Sequence, residues 1–184
     1  MQRLIDKTLA AGNRVLYCCA MISSVARARL LGFSVLIAVA VLDQWSKAVL
    51  AARANALPEN LLPFFSLVLV HNRGISFGLL GRMPPWMAPL LTGFTSLVAL
   101  ALIVWLARAR ESLVALTLGL IIGGALGNII DRVRVGAVTD FLDFHLGPHH
   151  WPAFNLADSA ICMGVVILVL ISIVRPSIMK EDTK

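Results

Sequence analysis

Charge is what this sequence has least of. Among 184 residues only 14% are Asp, Glu, Lys or Arg, and 59% are hydrophobic, with a mean hydropathy of +0.86. Ordinary soluble domains carry about 25% charged residues. The shortfall excludes a water-soluble domain and makes the number of membrane spans the first question. Cysteine is scarce too. Cys18 and Cys19 are neighbours and make a poor disulfide, and Cys162 lies inside an apolar run, so neither a disulfide framework nor a thiolate metal site is expected. There is no internal repeat or low-complexity tract, and the glycine-rich stretch lies within an apolar run, which excludes a phosphate-binding loop. Acid is the scarcest charge, with ten Asp and Glu against 16 Lys and Arg. The basic excess is spread over segment ends and tails. It reads as a topology signal, so no nucleic-acid partner is expected.

Four apolar segments are present. Span 1 begins near Leu30, after a basic stretch whose apolar part, Val15 to Ala26, is too short to cross about 30 Å of hydrocarbon. Span 2 covers Trp86 to Leu106, with Pro84 and Pro85 breaking the chain before it and Pro89 placed to kink or cap it. Span 3 covers Ser112 to Ile130 and span 4 Leu156 to Val174. The segments 1–29, 108–110 and 175–184 hold ten Lys/Arg, against five in the other two connections. The positive-inside rule then puts both termini in the cytoplasm. Trp45, Trp86 and Trp151 fall at the outer interface and Trp105 at the inner one. Leu62 to Val70 is short, β-branched and aromatic, so it is expected to be a strand. Asn72, with Gly74 and Gly78 nearby, is expected in a turn. The organisation is a basic cytoplasmic extension (1–29), a four-helix membrane domain (30–174) and a basic cytoplasmic tail (175–184).

The few acids are not scattered. Asp131, Asp140, Asp143 and Asp158 lie between Gly123 and Ser159, together with Asn128, Arg132 and Asn155. Asp43 is thirteen residues beyond Leu30, roughly 20 Å along a helix, in the far third of the bilayer. Lys47 follows it at i+4 on the same face. Asn72, Asn128, Asp131, Asp140, Asn155 and Asp158 converge on that same outer leaflet. Carboxylates at a membrane border are expensive to desolvate and usually functional. Two of them sharing a site hold one proton between them, as aspartic catalysis requires. Asp140 and Asp158 are the candidate pair, with Asp158 suited to the ionised member and Asp140 to the acid. Asn155 is also well placed to N-cap span 4 with Asp158 at its third position, a purely structural role of equal weight at this point. Gly119, Gly123 and Gly127 form a small-xxx-small face on span 3.

Other chemistries fit less well. Ser76 or Ser159 with Lys47 resembles a Ser–Lys pair, but Asp43 would keep Lys47 charged and unfit as a base. His145, His149 and His150 with Asp143 suggest zinc, yet Gly147 and Pro148 interrupt any helical face, and solvated loop histidines are the plainer expectation. A proton-coupled transporter would place relays along a path through the bilayer. No acid stands in the inner half of any span. A structural subunit would have no use for buried acids.

Five ordered blocks then carry a resemblance: DQWSK (Asp43–Lys47), HNRGISFG (His71–Gly78), GGALGNIIDR (Gly123–Arg132), GAVTDFLDF (Gly136–Phe144) and FNLADSAICMG (Phe154–Gly164). From about Leu36 to Ile167 the chain resembles lipoprotein signal peptidase, the bacterial signal peptidase II. The resemblance implies an all-α membrane protein of four transmembrane helices with a small extracytoplasmic β element. It implies an aspartic endopeptidase that cleaves prolipoproteins before the diacylglyceryl-modified cysteine. It further implies a globomycin-sensitive enzyme without metal or organic cofactor, working as a monomer among membrane lipid, in the bacterial inner membrane with its site on the extracytoplasmic side. The catalytic pair falls on Asp140 and Asp158, and supporting roles on Asn72, Asn128, Arg132 and Asn155, with Asp43, Lys47 and Asp131 as further framework. Departures are small: Ile75 and Ser76 stand where the family often has alanines, and Thr139 where it often has valine.

Overall fold

The computed structural model describes residues 2–72 and 87–175, with side chains from Ile22 onward. The Gly74–Gly78 turn, the Pro84–Pro85 break, Trp86, Ser76 and the 176–184 tail therefore lie outside the described residues. The elements are α1 (Gln2–Ala52), a single 3-10 turn (Ala54–Ala56), β1 (Glu59–Leu62), β2 (Phe65–Asn72), α2 (Met87–Arg108), α3 (Ser112–Val135), β3 (Val138–Leu146), β4 (His149–His150) and α4 (Leu156–Val174). Four of these helices are long and apolar enough to cross a bilayer, over Ile22–Ala52, Met87–Arg108, Ser112–Val135 and Leu156–Val174. The protein is thus a four-span helical membrane protein with a small antiparallel sheet.

The helix α3 is the one the others pack around. Its glycines explain why. A methyl group added to Gly119 would collide with the backbone of Gly32, and one on Gly123 would stand 2.6 Å from the Leu36 carbonyl oxygen, so both glycines let α1 approach α3 at backbone distance. Gly124 does the same for α4, facing Ala157, and Gly164 of α4 faces Thr117 and Ile121 of α3. These pairings run in the same sense for α1 and α3 and in opposite senses for α3 and α4. The C-terminal ends of α1 and α3 and the N-terminal end of α4 consequently meet at one end of the bundle. Ala28, Leu106, Ala109, Val114, Ala115 and Leu118 close the other end.

Several boundaries differ from the sequence expectation. The helix α1 has no break at Leu30. The pair Arg27 and Arg29 looks like a terminus, yet Arg29 Nε donates to the Ala109 carbonyl oxygen at 3.1 Å in the α2–α3 connection, so its charge is used where α1 passes that turn. The helix α3 continues five residues past Ile130 to Val135 and is closed by Gly136 at φ 75°, the left-handed cap that glycine supplies without strain. The Leu62–Val70 strand is in fact two strands, since Pro63 and Phe64 turn the chain between β1 and β2. Asn72 is not in a turn but ends β2, opposite Val138. The sheet order is β1-β2-β3-β4, all antiparallel. His145, His149 and His150 belong to β3 and β4 and are not loop residues. Gly147, at φ 58°, and Pro148 make the hairpin turn between those strands.

Candidate active site

At the end of the bundle where α1, α3 and α4 meet, the scarce polar residues form one connected network. Its base is ionic. Lys47 Nζ lies 2.8 Å from Asp43 Oδ2 and 2.9 Å from Asp131 Oδ2, with all three side chains buried. The ammonium also donates to Asn128 Oδ1 at 3.3 Å. A buried ion pair is tolerated only where its remaining lone pairs find donors. Here they do. Asp43 Oδ1 accepts from the Ala157 amide at 3.0 Å, so an acid of α1 serves a first-turn N–H of α4. Asp131 Oδ2 accepts from the Thr139 amide at 2.9 Å, which ties α3 to β3. Gln44 Nε2 bridges Asp131 Oδ1 at 2.9 Å and the Gly127 carbonyl oxygen at 3.1 Å. Gly127 itself makes room for Asp43, because a methyl group there would overlap that carboxylate.

Asn155 stands above this base and is fully buried. As N-cap of α4 its Oδ1 accepts from the Asp158 amide at 2.9 Å, and Asp158 Oδ2 accepts from the Asn155 amide at 3.3 Å, completing a reciprocal capping box. The Nδ2 group of Asn155 donates to Asp140 Oδ1 at 2.7 Å and reaches Asn128 Oδ1 at 3.2 Å and the Thr139 carbonyl oxygen at 3.3 Å. Asn128 Nδ2 donates to Asp158 Oδ1 at 2.9 Å. Asn72 Nδ2 donates to Asp140 Oδ2 at 3.2 Å from β2. Each carboxylate thus has an amide donor on either oxygen, and Asn155 serves both.

Burial, followed by the nearby charge of Asp158, pushes the Asp140 carboxyl up to about 7, against the opposing hydrogen bonds of Asn72 and Asn155 and the Lys47 charge. Arg132 is half-buried on the same helix end, within electrostatic reach of Asp158, Asp140 and Asp131 in that order. The site end therefore carries four carboxylates and two cations, and the charge of one of those acids, Asp158, acts on another, Asp140.

Asp143, three residues beyond Asp140, belongs to a different set. Its Oδ2 is 2.8 Å from His150 Nδ1, and the His150 ring stacks on His145 at 4.9 Å between centroids. His145 Nε2 is 2.8 Å from Ser66 Oγ, which donates to Asn60 Oδ1 at 2.7 Å. This chain of side chains crosses all four strands. The described residues contain no cluster of His, Cys, Asp or Glu suited to hold a metal. The Ser–Lys alternative finds no geometry in Ser159, whose Oγ donates to the Asn155 carbonyl oxygen at 3.0 Å, while Lys47 is bound to two acids. Sequence reasoning missed Gln44 and the Thr139 amide. The only signal for Gln44 was its place within DQWSK, beside Asp43.

Such a network at the end of four apolar spans defines a multi-pass membrane enzyme. Two solved structures described as bacterial membrane enzymes determined by the in meso method are similar to it. One has a TM-score of 0.68 at 26% identity over 78% of this chain and 92% of its own. The other has 0.64 at 27% identity over 76% and 85%. The model of the signal peptidase (SPase) II family matches residues 35–174, and the chain belongs to that family of bacterial membrane peptidases. Relatives named lipoprotein signal peptidase include those of Burkholderia thailandensis (47% identical, covering 76% of this chain and 84% of the relative) and Coxiella burnetii (45%, covering 80% and 91%). A third, from Acinetobacter baumannii, is 42% identical over 76% of this chain and 80% of the relative. A peptidase family leaves the transporter and structural-subunit alternatives without support.

Proposed function

We propose that this chain removes signal peptides from prolipoproteins by cleaving before the diacylglyceryl-modified cysteine, with Asp140 and Asp158 as an aspartic dyad. The observation that carries the reading is the shared amide of Asn155, which holds Asp140 through Nδ2 and Asp158 through its capping box. Asp158, third residue of α4, sits where the helix terminus favours negative charge. Asp140, held up to about 7, keeps its proton at lower pH. In the proposed step Asp158 takes a proton from water as the oxygen attacks the scissile carbonyl, and Asp140 gives its proton to the carbonyl oxygen. Collapse of the tetrahedral gem-diol breaks the C–N bond: the proton on Asp158 passes to the leaving amine, and a gem-diol hydroxyl returns its proton to Asp140 as the new carboxyl forms. The charge of Asp158 acts on Asp140, so the roles belong to the pair's single-proton state. Arg132, Asn72 and Asn128 position substrate and carboxylates, and Asp43, Lys47 and Asp131 hold the framework.

The same reading puts the protein in the bacterial inner membrane, with the site at the extracytoplasmic border, where a substrate's acyl chains stay in the leaflet. Residues 1–29 and 175–184 are then basic cytoplasmic ends, and globomycin is an inhibitor. The test is cleavage of a lipidated peptide by Asp140→Asn and Asp158→Asn in proteoliposomes, with insertion checked separately. Both variants are expected to insert and to be inactive. Normal cleavage by either one removes the dyad.

A further inference from the structure

We propose that the far tip of the sheet is a lipid-docking surface, inserted into the interfacial layer of the leaflet on the same side as the site. Both hairpin turns lie at one end of the sheet, because Phe65 pairs with Phe144 and the His145 amide bonds the Phe64 carbonyl oxygen. Asp140 lies toward the other end, about 20 Å away along β3 from Leu146. Hairpin turns in water are built from polar and small residues. Here the turning is done by Pro63–Phe64 and by Gly147–Pro148, and the flanking residues include Leu61, Leu62 and Leu146. Leu146 is 80% exposed, Trp151 59% and Phe64 50%. With Phe144 they border an open cleft of about 390 Å³ whose polar rim is His149 and His150.

An apolar patch of this kind needs an occupant. The bilayer is favoured by two observations. First, short connections join the sheet to two of the spans. Trp151 stands five residues before Leu156, at most about 18 Å of chain from the start of α4, and Glu59 stands seven residues after the end of α1. Second, residues 60–70 and 144–154 contain no Asp, Glu, Lys or Arg, so no permanent charge there selects a charged protein surface. Apolar side chains with a tryptophan and imidazoles at the rim match the headgroup–acyl boundary of a zwitterionic leaflet. Ring contacts pass the placement inward. Phe65 meets Phe144 at 4.8 Å and Phe144 stacks on Phe154 at 5.9 Å, next to the cap of α4. Docking of the tip therefore fixes the attitude of β3 over the bundle. The inference does not depend on which residues are catalytic.

The test uses the full chain with Trp45, Trp86 and Trp105 changed to Phe, leaving Trp151, in phosphatidylcholine liposomes. Lipid brominated near the headgroup end of the chain is expected to quench Trp151 strongly, aqueous iodide weakly, and added salt to change neither. Iodide quenching without bromolipid quenching overturns the proposal. So does protection from both quenchers that depends on the protein-to-lipid ratio, which assigns the tip to a second copy. Should the single-tryptophan protein not fold, amide exchange in liposomes decides. Residues 59–66 and 144–151 are expected to exchange severalfold faster in the Phe64→Ser, Leu146→Ser double variant than in the unsubstituted protein. Equal rates overturn the proposal.

Discussion

Asn155→Ser separates two jobs that one side chain performs. Serine caps a helix about as well as asparagine, so the bond to the Asp158 amide survives. Its hydroxyl is too short to reach Asp140, now 2.7 Å from Asn155 Nδ2. A hydrogen bond to a charged group is worth about 1.5–3 kcal/mol, and this one favours the ionised form of Asp140. Its loss raises that carboxyl by about one to two units, at about 1.4 kcal/mol per unit. The sign is fixed by the proposed step. Asp140 must be protonated, so activity declines as pH rises through about 7 in the unsubstituted enzyme. In the variant this basic limb moves upward, while activity on the plateau falls because the pair is held less firmly. The assay is kcat/KM for a lipidated peptide across pH, paired with thermal unfolding. Asn155→Ala loses the cap as well, about 1 kcal/mol more, so the difference between the two melting temperatures isolates the cap. If the basic limb of Asn155→Ser stays where it was while activity drops, the amide acts only as scaffold and the link to the Asp140 proton is wrong.

Lys47→Met leaves Asp43 and Asp131 buried without their shared cation, and breaking a buried pair in this way costs about 3–5 kcal/mol. A large drop in melting temperature is expected, partly recovered on adding Asp43→Asn. Gly127→Ala pushes a methyl group into the Asp43 carboxylate and should destabilise by about 1–3 kcal/mol, read by thermal unfolding in detergent. Asp143→Asn removes the ionic partner of His150 but touches neither Asp140 nor Asp158, so peptide cleavage should fall far less than in Asp140→Asn. The raised carboxyl of Asp140 also has a stability consequence. The native state binds a proton between about 4 and about 7 that the unfolded chain has released, so stability declines as pH rises across that window, and Asp140→Asn should flatten the decline in unfolding midpoints.

What could be read from the sequence was whatever depended on spacing within one element. Asn155 three residues before Asp158 specifies a capping box, and the structure has one. Glycines at every fourth position of α3 specify a close helix face, and α1 fills it. The ends of α4 were legible because a cap and an Arg-Pro pair punctuate an apolar run. Contacts between elements were not legible. Gln44 is an ordinary polar residue until the glycine face sets α1 against α3 and brings its amide to Asp131, 87 positions away. The Thr139 amide becomes a donor to Asp131 only because Gly136 turns β3 back over the end of α3. Gly147 and Pro148 exclude a helix, which by itself points the histidines to a loop. The same pair makes a hairpin, and helix exclusion alone cannot separate the two.

The distribution of charge explains why so few acids are enough. Asp43, Asp131, Asp140 and Asp158 face Lys47 and Arg132, so full ionisation would leave the enclosed cluster at −2, a balance water is poorly placed to relieve. One proton on the Asp140–Asp158 pair brings it to −1, and the terminus of α4 offsets about half a charge more. Asp43 and Asp131 each lie against Lys47 and each accept a backbone amide, so both carboxyls are held in fixed contacts. Asp158 also accepts a backbone amide, that of Asn155. Asp140 receives only side-chain amides, and it is the acid that burial lifts to about 7. In the proposed step the framework ion pairs therefore do more than brace the helices: they fix α1, α3 and β3 against one another beneath the strand acid that hands over the proton.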